Sequence, residues 1–547
     1  ANTGNVALSI KPKPHLIHAP KAAPTPTAIH CPANIPLPLF RKIHLPFIIV
    51  DITSFTKFHT RTNVHVLFVT SEAFPLIKTG GLADVSGALP KAIKNLPELN
   101  GDIRILMPAY SGVLSKLKAV KQVATIQALG QQCKLFMGQM PDSNVDVIAI
   151  KNDALYARPV GPYTNEDGIN WPDNALRFGV LSRVASMLAR EDSPLHWLPD
   201  IVHCNDWQTG LTPAYMKLVD QVPVKSVFSI HNMAYQGNFD SSLLTQLELP
   251  AQHFNINGFE FYKQISFMKA GLFYADHLST VSPTYAKEIQ TETYGFGLQG
   301  LLATRQQDLT GILNGIDTQD WNPAIDTHLI KSYSSKNIAG KKAVKKDLQK
   351  AFGLKIDANA PLLGIVSRFA NQKGLDLVPP IIPALISEGC QFVILGSGEK
   401  PLEEMFTALQ KTYPDAVGVN IGYNEPLSHN IMAGADMFIM PSRFEPCGLN
   451  QLYGLAYGTP PIVSPTGGLA DSVNNTSPDS IKNNTATGFV IKNVTQVSLL
   501  GAIRYAIRLW KDKKDWRKIQ KNGMETDVSW SSSAISYLEL YTKTIYQ

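Results

Sequence analysis

Short runs of apolar residues alternate with longer amphipathic segments along most of the chain. The first run, 64–69, is followed by a helical pattern at 82–96, and this order of strand and helix then repeats. Further strands of this half are predicted at 103–107, 201–204, 226–230 and 278–281. Continuous apolar runs of this length are typical of strands buried on both faces, so the pattern predicts a parallel sheet covered by helices.

A second series of the same kind begins after Asn314-Gly315-Ile316-Asp317. Its strands are predicted at 362–366, 392–395, 418–421, 437–440 and 461–463, with helices at 402–413 and 499–510. A chain of 547 residues is also too long for one hydrophobic core. The sequence therefore predicts two doubly wound α/β domains in series. Ligands of such sheets bind beyond the carboxyl ends of the strands, which places a site in the cleft between the domains.

Residues 1–62 have a different composition. They are rich in proline, show no helical period, and contain Asp51 as their one acidic residue. The apolar run 47–50 is too short for the core of a signal peptide. We expect an irregular or disordered extension; a transit-like segment or a wrongly assigned start are alternatives. The pattern places a junction near 305–325, and we predict the domain boundaries 1–62, 63–312 and 313–525, with a C-terminal helix at 526–547.

Charge, cysteine content and hydrophobicity argue against several classes of protein. The net charge of +6 is concentrated in residues 1–62, so we predict no nucleic-acid surface. The five cysteines form no C-x-x-C pair, which argues against a zinc site or a disulfide framework and favours a reducing compartment. No run approaches 18 apolar residues, so no membrane span is predicted.

Two nearly identical glycine-rich words follow strands, one in each half. The first is Lys78-Thr79-Gly80-Gly81-Leu82-Ala83-Asp84, and the second is 466–471, with the sequence T-G-G-L-A-D. Each opens a predicted helix, whose N-terminus favours anions, and glycine lets backbone N–H groups approach a ligand. A single such word is as well explained by an ordinary turn. Two of them across a cleft suit a diphosphate.

Charged residues follow two strands of the second half. Arg368 and Lys373 lie in S-R-F-A-N-Q-K-G, where two fixed cations could neutralise a diphosphate without a metal; the chain contains no Asp-x-Asp. Glu445 lies in P-S-R-F-E-P-C-G-L, where a carboxylate could stabilise an oxocarbenium-like transition state. The N–H groups of 447–449 could bind hydroxyls, and Cys447 could equally be a small core residue.

Polar residues at other strand ends suit sugar and base recognition. The words H-C-N-D-W-Q at 203–208 and H-N-M-A-Y-Q-G at 231–237 each follow a strand of the first half. Either histidine alone would more often be a buried core residue. Gly422 and Tyr423 could offer backbone and an aromatic face to a base, or Tyr423 could pack in the core.

Together these words resemble the bacterial glycogen synthase and plant starch synthase family, from about Val64 to the C-terminus. The resemblance implies two facing Rossmann-like domains, the GT-B fold, with a last helix that returns to the first domain. It implies a retaining hexosyltransferase that carries glucose from ADP-glucose to an α-1,4-glucan, with no cofactor and no metal, in the cytoplasm or, if the extension is a transit segment, a plastid. UDP-glucose as donor, a glucan phosphorylase and a glucan-binding scaffold with a lapsed site are the alternatives.

The resemblance also implies a role for each matching position. The catalytic set would be Glu445, His231, Asp206, Arg368 and Lys373. The substrate-binding set would be Lys78, Gly80, Gly81, Asp84, Asn232, Gly422, Tyr423, Cys447, Gly448, Leu449, Thr466, Gly467, Gly468 and Leu469. Some positions depart from the family pattern: Gln208 replaces a histidine, and Trp171-Pro172 replaces Tyr-Thr. None of these removes a charge of the catalytic set, so we expect an active enzyme.

Overall fold

The computed structural model describes residues 63–547, and the predicted extension at 1–62 lies outside the described residues. The first half contains strands β1 (His65–Val69), β2 (Asp102–Pro108), β3 (Lys118–Ala128), β4 (Gln131–Gln139), β5 (Asp146–Lys151), β6 (Ile201–Asn205), β7 (Lys225–Ile230), β8 (Asn238–Asp240), β9 (Glu260–Phe261), β10 (Gln264–Ser266), β11 (His277–Thr280) and β12 (Leu309–Gly311). Its helices are α1 (Gly81–Lys94), α2 (Val113–Lys116), α3 (Asp153–Tyr156), α4 (Asn174–Leu188), α5 (Leu211–Leu218), α6 (Phe267–Tyr274), α7 (Pro283–Glu288) and α8 (Gln299–Thr304).

The second half continues the same alternation. Its strands are β13 (Leu362–Val366), β14 (Gln391–Gly396), β15 (Val417–Ile421), β16 (Met437–Met440), β17 (Pro461–Val463) and β18 (Phe489–Val490). Its helices are α9 (Gly340–Ala351), α10 (Ile382–Ser387), α11 (Lys400–Thr412), α12 (Glu425–Gly434), α13 (Asn450–Ala456), α14 (Gly467–Ser472), α15 (Pro478–Lys482), α16 (Gln496–Lys511), α17 (Lys513–Glu525) and α18 (Trp530–Tyr546). The fold class predicted from the sequence, two Rossmann-like α/β domains, is confirmed.

The first sheet has the strand order β12-β11-β7-β6-β1-β2-β5-β4-β3. The chain moves outward from β1 on one side and then returns to place β6 beside β1, so the strand order reverses between these two strands. A crevice forms at such a reversal, because the loops after the two strands diverge there. The loops that follow β1 and β6 carry the first glycine-rich word and Asp206, respectively.

The antiparallel part of the first sheet was not predicted. Strand β4 runs antiparallel to both β3 and β5, and a small sheet β8-β10-β9 is antiparallel throughout. Strand β3 is an edge strand whose first five residues are exposed and include two lysines, Lys118 and Lys121. Charged residues on an exposed edge protect it from pairing with other chains, and they also remove the apolar run by which buried strands are identified.

The second sheet is parallel throughout, with the order β15-β14-β13-β16-β17-β18. Its strand order reverses between β13 and β16, which are neighbours. Apolar cores lie on both faces of this sheet, and its central strands are buried along most of their length. The loops after β13 and β16 contain Lys373 and Glu445 and therefore meet at the reversal point.

The last helix, α18, packs into the core of the first domain. Its residues Trp530, Ala534 and Tyr541 belong to the same buried cluster as β1 and β6. The hydroxyl of Tyr541 lies 2.7 Å from Nδ1 of His203, whose Nε2 lies 2.6 Å from Oγ of Ser229. Burial lowers the pKa of His203 to about 3, so the ring is neutral and each nitrogen has one partner. His203 thus joins the central sheet to the returning helix.

We expect Tyr541→Phe to lower the free energy of unfolding by about 1–3 kcal/mol, because it leaves a buried ring nitrogen of His203 without a partner. Urea denaturation followed by circular dichroism measures this change. Tyr546→Phe is the matched control, since Tyr546 lies on the same helix with 82% of its surface exposed. Equal stability of the two variants would contradict a role of His203 in holding α18.

Candidate active site

The first glycine-rich loop is held by a buried carboxylate that the sequence analysis did not single out. Oε2 of Glu72 accepts hydrogen bonds from the backbone N–H groups of Thr79 (2.5 Å) and Gly80 (3.4 Å). Its Oε1 accepts one from the hydroxyl of Tyr163 at 2.9 Å. Burial raises the pKa of Glu72 to about 7, against the opposing effect of these hydrogen bonds. Glu72 therefore fixes the entrance of helix α1.

The glycines of this loop face open space. Apart from the adjoining backbone, no atom of residues 63–547 lies within 4 Å of where a Cβ would stand on Gly80 or Gly81. The N–H of Gly81 opens helix α1 and belongs to the first turn, which lacks carbonyl partners inside the helix. This loop leaves room for a ligand against the backbone and presents the positive end of a helix to it.

Lys78 connects the first domain with the second. Its Nζ lies 2.9 Å from Oδ1 of Asp84 and 3.8 Å from Oε1 of Glu425, at the start of α12. Burial acts to lower the pKa of Lys78, but the two carboxylates outweigh it and the pKa is raised. Glu425 also accepts a hydrogen bond from the hydroxyl of Tyr423, whose ring is 75% exposed. The structure therefore brings Lys78 and Asp84 close to Tyr423, with Gly422 just before it in the chain.

Asp206 lies at the carboxyl end of β6 in a backbone conformation that is unusual for aspartate. Its φ is 61°, its side chain is buried, and Oδ1 accepts the N–H of Trp207 at 2.8 Å. Burial raises the pKa of Asp206 to about 7, and the charge of Glu72 acts in the same direction. A non-glycine residue held at positive φ costs free energy and is typical of functional sites.

His231 lies at the end of β7, beside Asp206. Its Nε2 is 3.1 Å from Oδ1 of Asn205, and burial lowers its pKa to about 4, so the ring is neutral. The backbone of Asn232 hydrogen-bonds to Asp206, which keeps the two strand ends together. A neutral imidazole and a buried carboxyl group can bind the hydroxyls of a sugar without a net charge.

Lys373 and Glu445 form an ion pair where the strand order of the second sheet reverses. Nζ of Lys373 lies 2.6 Å from Oε2 of Glu445, which also accepts a hydrogen bond from Oγ of Ser442 at 3.1 Å. The exposed fractions of the two side chains are 19% and 7%. Gly374 permits this contact, because a Cβ there would lie 2.1 Å from the carbonyl oxygen of Pro441. Arg368, in the same loop as Lys373, is exposed.

The second glycine-rich loop packs against protein rather than facing open space. A Cβ on Gly467 would lie 1.9 Å from the carbonyl oxygen of Glu445, and one on Gly468 would lie 2.3 Å from that of Cys447. The N–H of Gly467 and the hydroxyl of Thr466 donate to the carboxylate of Glu288, on α7 of the first domain, at 3.0–3.2 Å. The N–H groups of Gly468 and Leu469 donate to backbone carbonyls. The carboxylate of Glu288 thus occupies the donors at the start of helix α14.

The residues after Glu445 are held by Gln451, and one of them lines a pocket. Nε2 of Gln451 donates to the carbonyl oxygens of Cys447 and Gly448, and Leu449 lines an adjoining pocket between the domains. Cys447 is buried, and burial raises the pKa of its thiol to about 12. The thiol is therefore protonated and unreactive, as expected of a small core residue.

The two halves of the site converge on Tyr285, in α7. Its hydroxyl accepts a hydrogen bond from the N–H of Met233 at 3.0 Å. Burial raises the pKa of Tyr285, and the charges of Asp206 and Glu445 both add to this effect. Carboxylates of both domains therefore influence the pKa of one buried hydroxyl.

Sequence reasoning missed the two carboxylates that hold the glycine-rich loops. Glu72 follows β1 by three residues, and this position at a strand end was the signal that could have identified it. Glu288 carried no such signal, since its contact with Gly467 joins positions 179 apart in the chain. Gln208, which replaces the family's histidine, is buried with no hydrogen-bond partner for its Oε1 within residues 63–547.

The described residues offer neither a metal site nor a membrane-spanning helix. Within residues 63–547, no three His, Cys, Asp or Glu side chains are grouped so that they could hold a metal ion. No helix in that part of the chain has the length and apolar character needed to cross a bilayer.

The amino-acid sequence of the chain is similar to that of known proteins. Residues 65–304 match the family described as starch synthase catalytic domain, and residues 347–523 match glycosyl transferases group 1. The chain is 48% identical to a glycogen synthase of Nitrosomonas eutropha over 88% of its length and 96% of the relative's. It is 45% identical to a glycogen synthase of Francisella tularensis subsp. novicida, over 88% and 99% of the two chains.

Solved structures are similar as well. The catalytic domain of starch synthase IV from Arabidopsis thaliana, bound to ADP and acarbose, matches with a TM-score of 0.80 and 31% identity, over 89% of this chain and 100% of that one. Sucrose-phosphate synthase from Thermosynechococcus elongatus matches with a TM-score of 0.53 at 16% identity, which shows the likeness of fold alone.

The raised pKa of Glu72 predicts a pH-dependent contribution to stability. A carboxyl group that binds its proton more tightly when folded stabilises most below its unfolded pKa of 4.5, and this stability is lost as the pH rises toward about 7. The histidines with lowered pKa act in the opposite direction, so the difference between two variants is the informative quantity. We expect wild type to lose about 2–3 kcal/mol relative to Glu72→Gln between pH 4.5 and pH 8.

Urea denaturation of both proteins across this pH range measures the difference. Glu539→Gln is the matched control for the loss of a carboxyl group, since Glu539 is exposed on α18. A difference for Glu72→Gln that varies with pH no more than that of the control would contradict the buried, protonatable state of Glu72.

Proposed function

The chain belongs to the glycogen and starch synthase family of retaining glucosyltransferases, and on that premise we propose that it transfers glucose from ADP-glucose to the non-reducing end of an α-1,4-glucan. The observation that carries this proposal is the buried pair of Lys373 and Glu445 at the switch point of the second sheet. It faces a cleft to which the first domain contributes Asp206 and His231.

The donor is proposed to lie between the two glycine-rich loops. In the first domain, the phosphate and sugar groups of the donor contact the open backbone of Gly80 and Gly81, together with Lys78 and Asp84. The exposed ring of Tyr423, after Gly422, offers a surface for the adenine base. Thr466–Leu469 would contribute from the second domain once Glu288 withdraws from the N–H of Gly467. The release of one carboxylate then makes room for another anion.

The leaving group is proposed to be neutralised by side chains. Arg368 is exposed toward solvent and Lys373 is held in place by Glu445, so both are available on the loop after β13. The bond between C1 of glucose and the phosphate oxygen breaks as a bond from C1 to the acceptor hydroxyl forms. The hydroxyl proton passes to the departing phosphate oxygen on the same face of the sugar, which retains the configuration. The carboxylate of Glu445 stabilises the positive charge that develops on the sugar.

The remaining cleft residues are proposed to hold the transferred glucose and the acceptor. Asp206, His231 and Asn232 present a protonatable carboxyl group, a neutral imidazole and an amide at neighbouring strand ends. Backbone groups of Cys447, Gly448 and Leu449 face the same sugar from the second domain. Preorganised hydrogen-bonding groups in a water-excluded site account for most of the rate enhancement in many enzymes.

Glucose transfer onto glycogen from ADP-glucose and UDP-glucose, measured side by side with EDTA, tests the proposal. We expect transfer from ADP-glucose to exceed transfer from UDP-glucose and to be unaffected by EDTA, because Arg368 and Lys373 supply the charge that a metal would supply elsewhere. Arg368→Ala should lower kcat by about 10²-fold, in the range found when one preorganised group is removed from a transition state.

Arg504→Ala is the matched control for this assay. Arg504 is a half-exposed arginine on α16 that pairs with Glu388, and its loss should leave transfer unchanged. Transfer that stops when EDTA is added would contradict a leaving group neutralised by side chains. If the protein binds glycogen but transfers glucose from neither donor, it is a glucan-binding protein and the enzymatic proposal fails.

A further inference from the structure

Five aromatic side chains lie in two adjoining groups beside the segment that carries Glu445. We call Phe261, Tyr262, Tyr294, Phe296 and Phe444 the aromatic ridge. The first four belong to the first domain and Phe444 to the second. The centroid of the Phe444 ring lies 5.9 Å from that of Phe296 and 6.4 Å from that of Tyr294. The rings of Phe261 and Tyr262 lie 4.6 Å apart.

The two halves of the ridge meet at Gly297. A Cβ on Gly297 would lie 2.9 Å from the ring of Phe261 and 3.7 Å from that of Tyr262, so the segment 294–297 packs directly against the β9–β10 turn. The side-chain amide of Gln236, in the loop after β7, donates to the carbonyl oxygen of Phe296 at 3.0 Å. Gly297 thus joins the pair Phe261 and Tyr262 to the segment whose rings contact Phe444 of the second domain.

The ridge ends beside the reacting groups. Phe444 immediately precedes Glu445, and its carbonyl oxygen accepts a hydrogen bond from Nε2 of Gln372, the neighbour of Lys373. Phe444 therefore joins the aromatic ridge to the loop that carries Glu445.

Tyr262 and Phe296, the two outer rings of the ridge, are exposed and have an unfavourable backbone conformation. Tyr262 is 79% exposed and Phe296 is 39% exposed. Both residues have positive φ, 49° and 50°, a conformation that is rare for bulky side chains. Neither burial of the rings nor relaxed backbone explains their position, and local strain of this kind persists where the surrounding structure imposes it for function.

We propose that the aromatic ridge binds the glucan acceptor at sugar units remote from its reacting end. This inference rests on the proposed function. A pyranose ring is uncharged, with an apolar face of C–H groups and a rim of hydroxyls, so it can stack on an aromatic ring while its rim stays in water. A row of rings that leads away from Glu445 fits successive units of such a chain. The ridge thereby favours long acceptors over short ones.

Steady-state kinetics of the double variant Tyr262→Ala/Phe296→Ala tests the assignment. We expect the KM for glycogen to rise about tenfold, the loss expected when two stacking contacts are removed. The KM for maltotriose should rise much less, because a short acceptor does not reach the outer rings. The conservative double variant Tyr262→Phe/Phe296→Tyr should restore the wild-type KM for glycogen. Val497→Ala, which removes an apolar side chain that is 83% exposed on α16, is the matched control.

Calorimetric titration with maltoheptaose, without any donor, separates this inference from the proposed function. Weaker binding by the alanine double variant supports the ridge even if wild type transfers no glucose, in which case only the enzymatic proposal fails. Unchanged maltoheptaose binding and an unchanged KM for glycogen would overturn the ridge as an acceptor site. A change confined to the sedimentation coefficient would overturn it as well and would assign the rings to contact between protein chains.

Discussion

The ion pair between Lys373 and Glu445 is the contact on which the architecture of the site depends. Burying two charges costs free energy that their attraction offsets when the geometry is good and the remaining polar atoms are bonded. Here the pair lies at 2.6 Å, and Ser442 donates to the same carboxylate. The contact requires β13 and β16 to be neighbours, because only then do the loops after them meet. The doubly wound strand order is thus a condition of the chemistry.

The two glycine-rich loops have nearly the same sequence but different tasks. In the first domain the glycines face open space, and Glu72 holds the loop from behind. In the second domain the glycines let the loop pack against the backbone of Glu445 and Cys447. Glu288 of the first domain accepts a hydrogen bond from the N–H of Gly467. One loop offers room to a ligand, and the other holds Glu445 in position and joins the domains.

The sequence predicted the parts of the structure that depend on local pattern. The buried strand at 362–366 and the helix at 402–413 were identifiable because apolar periodicity reflects burial directly. Strand β3 was not identifiable, since the lysines that suit its exposed edge interrupt the apolar run. Charged residues at strand ends led to the prediction of Lys373 and Glu445 as site residues. Their ion pair was not predictable in this way, because it depends on which strands are neighbours. Contacts such as Glu288 with Gly467 join distant segments, and no local pattern contains them.

The central claim is that the carboxylate held by Lys373 stabilises the charge that develops on the transferred sugar. The turnover of Glu445→Gln with ADP-glucose and glycogen tests it most directly, since glutamine keeps the shape and removes the charge. The account predicts that kcat falls by about 10²-fold or more, in the range found when a preorganised electrostatic group is lost. Circular dichroism and glycogen binding should remain those of the wild type. Turnover close to that of the wild type would contradict the account.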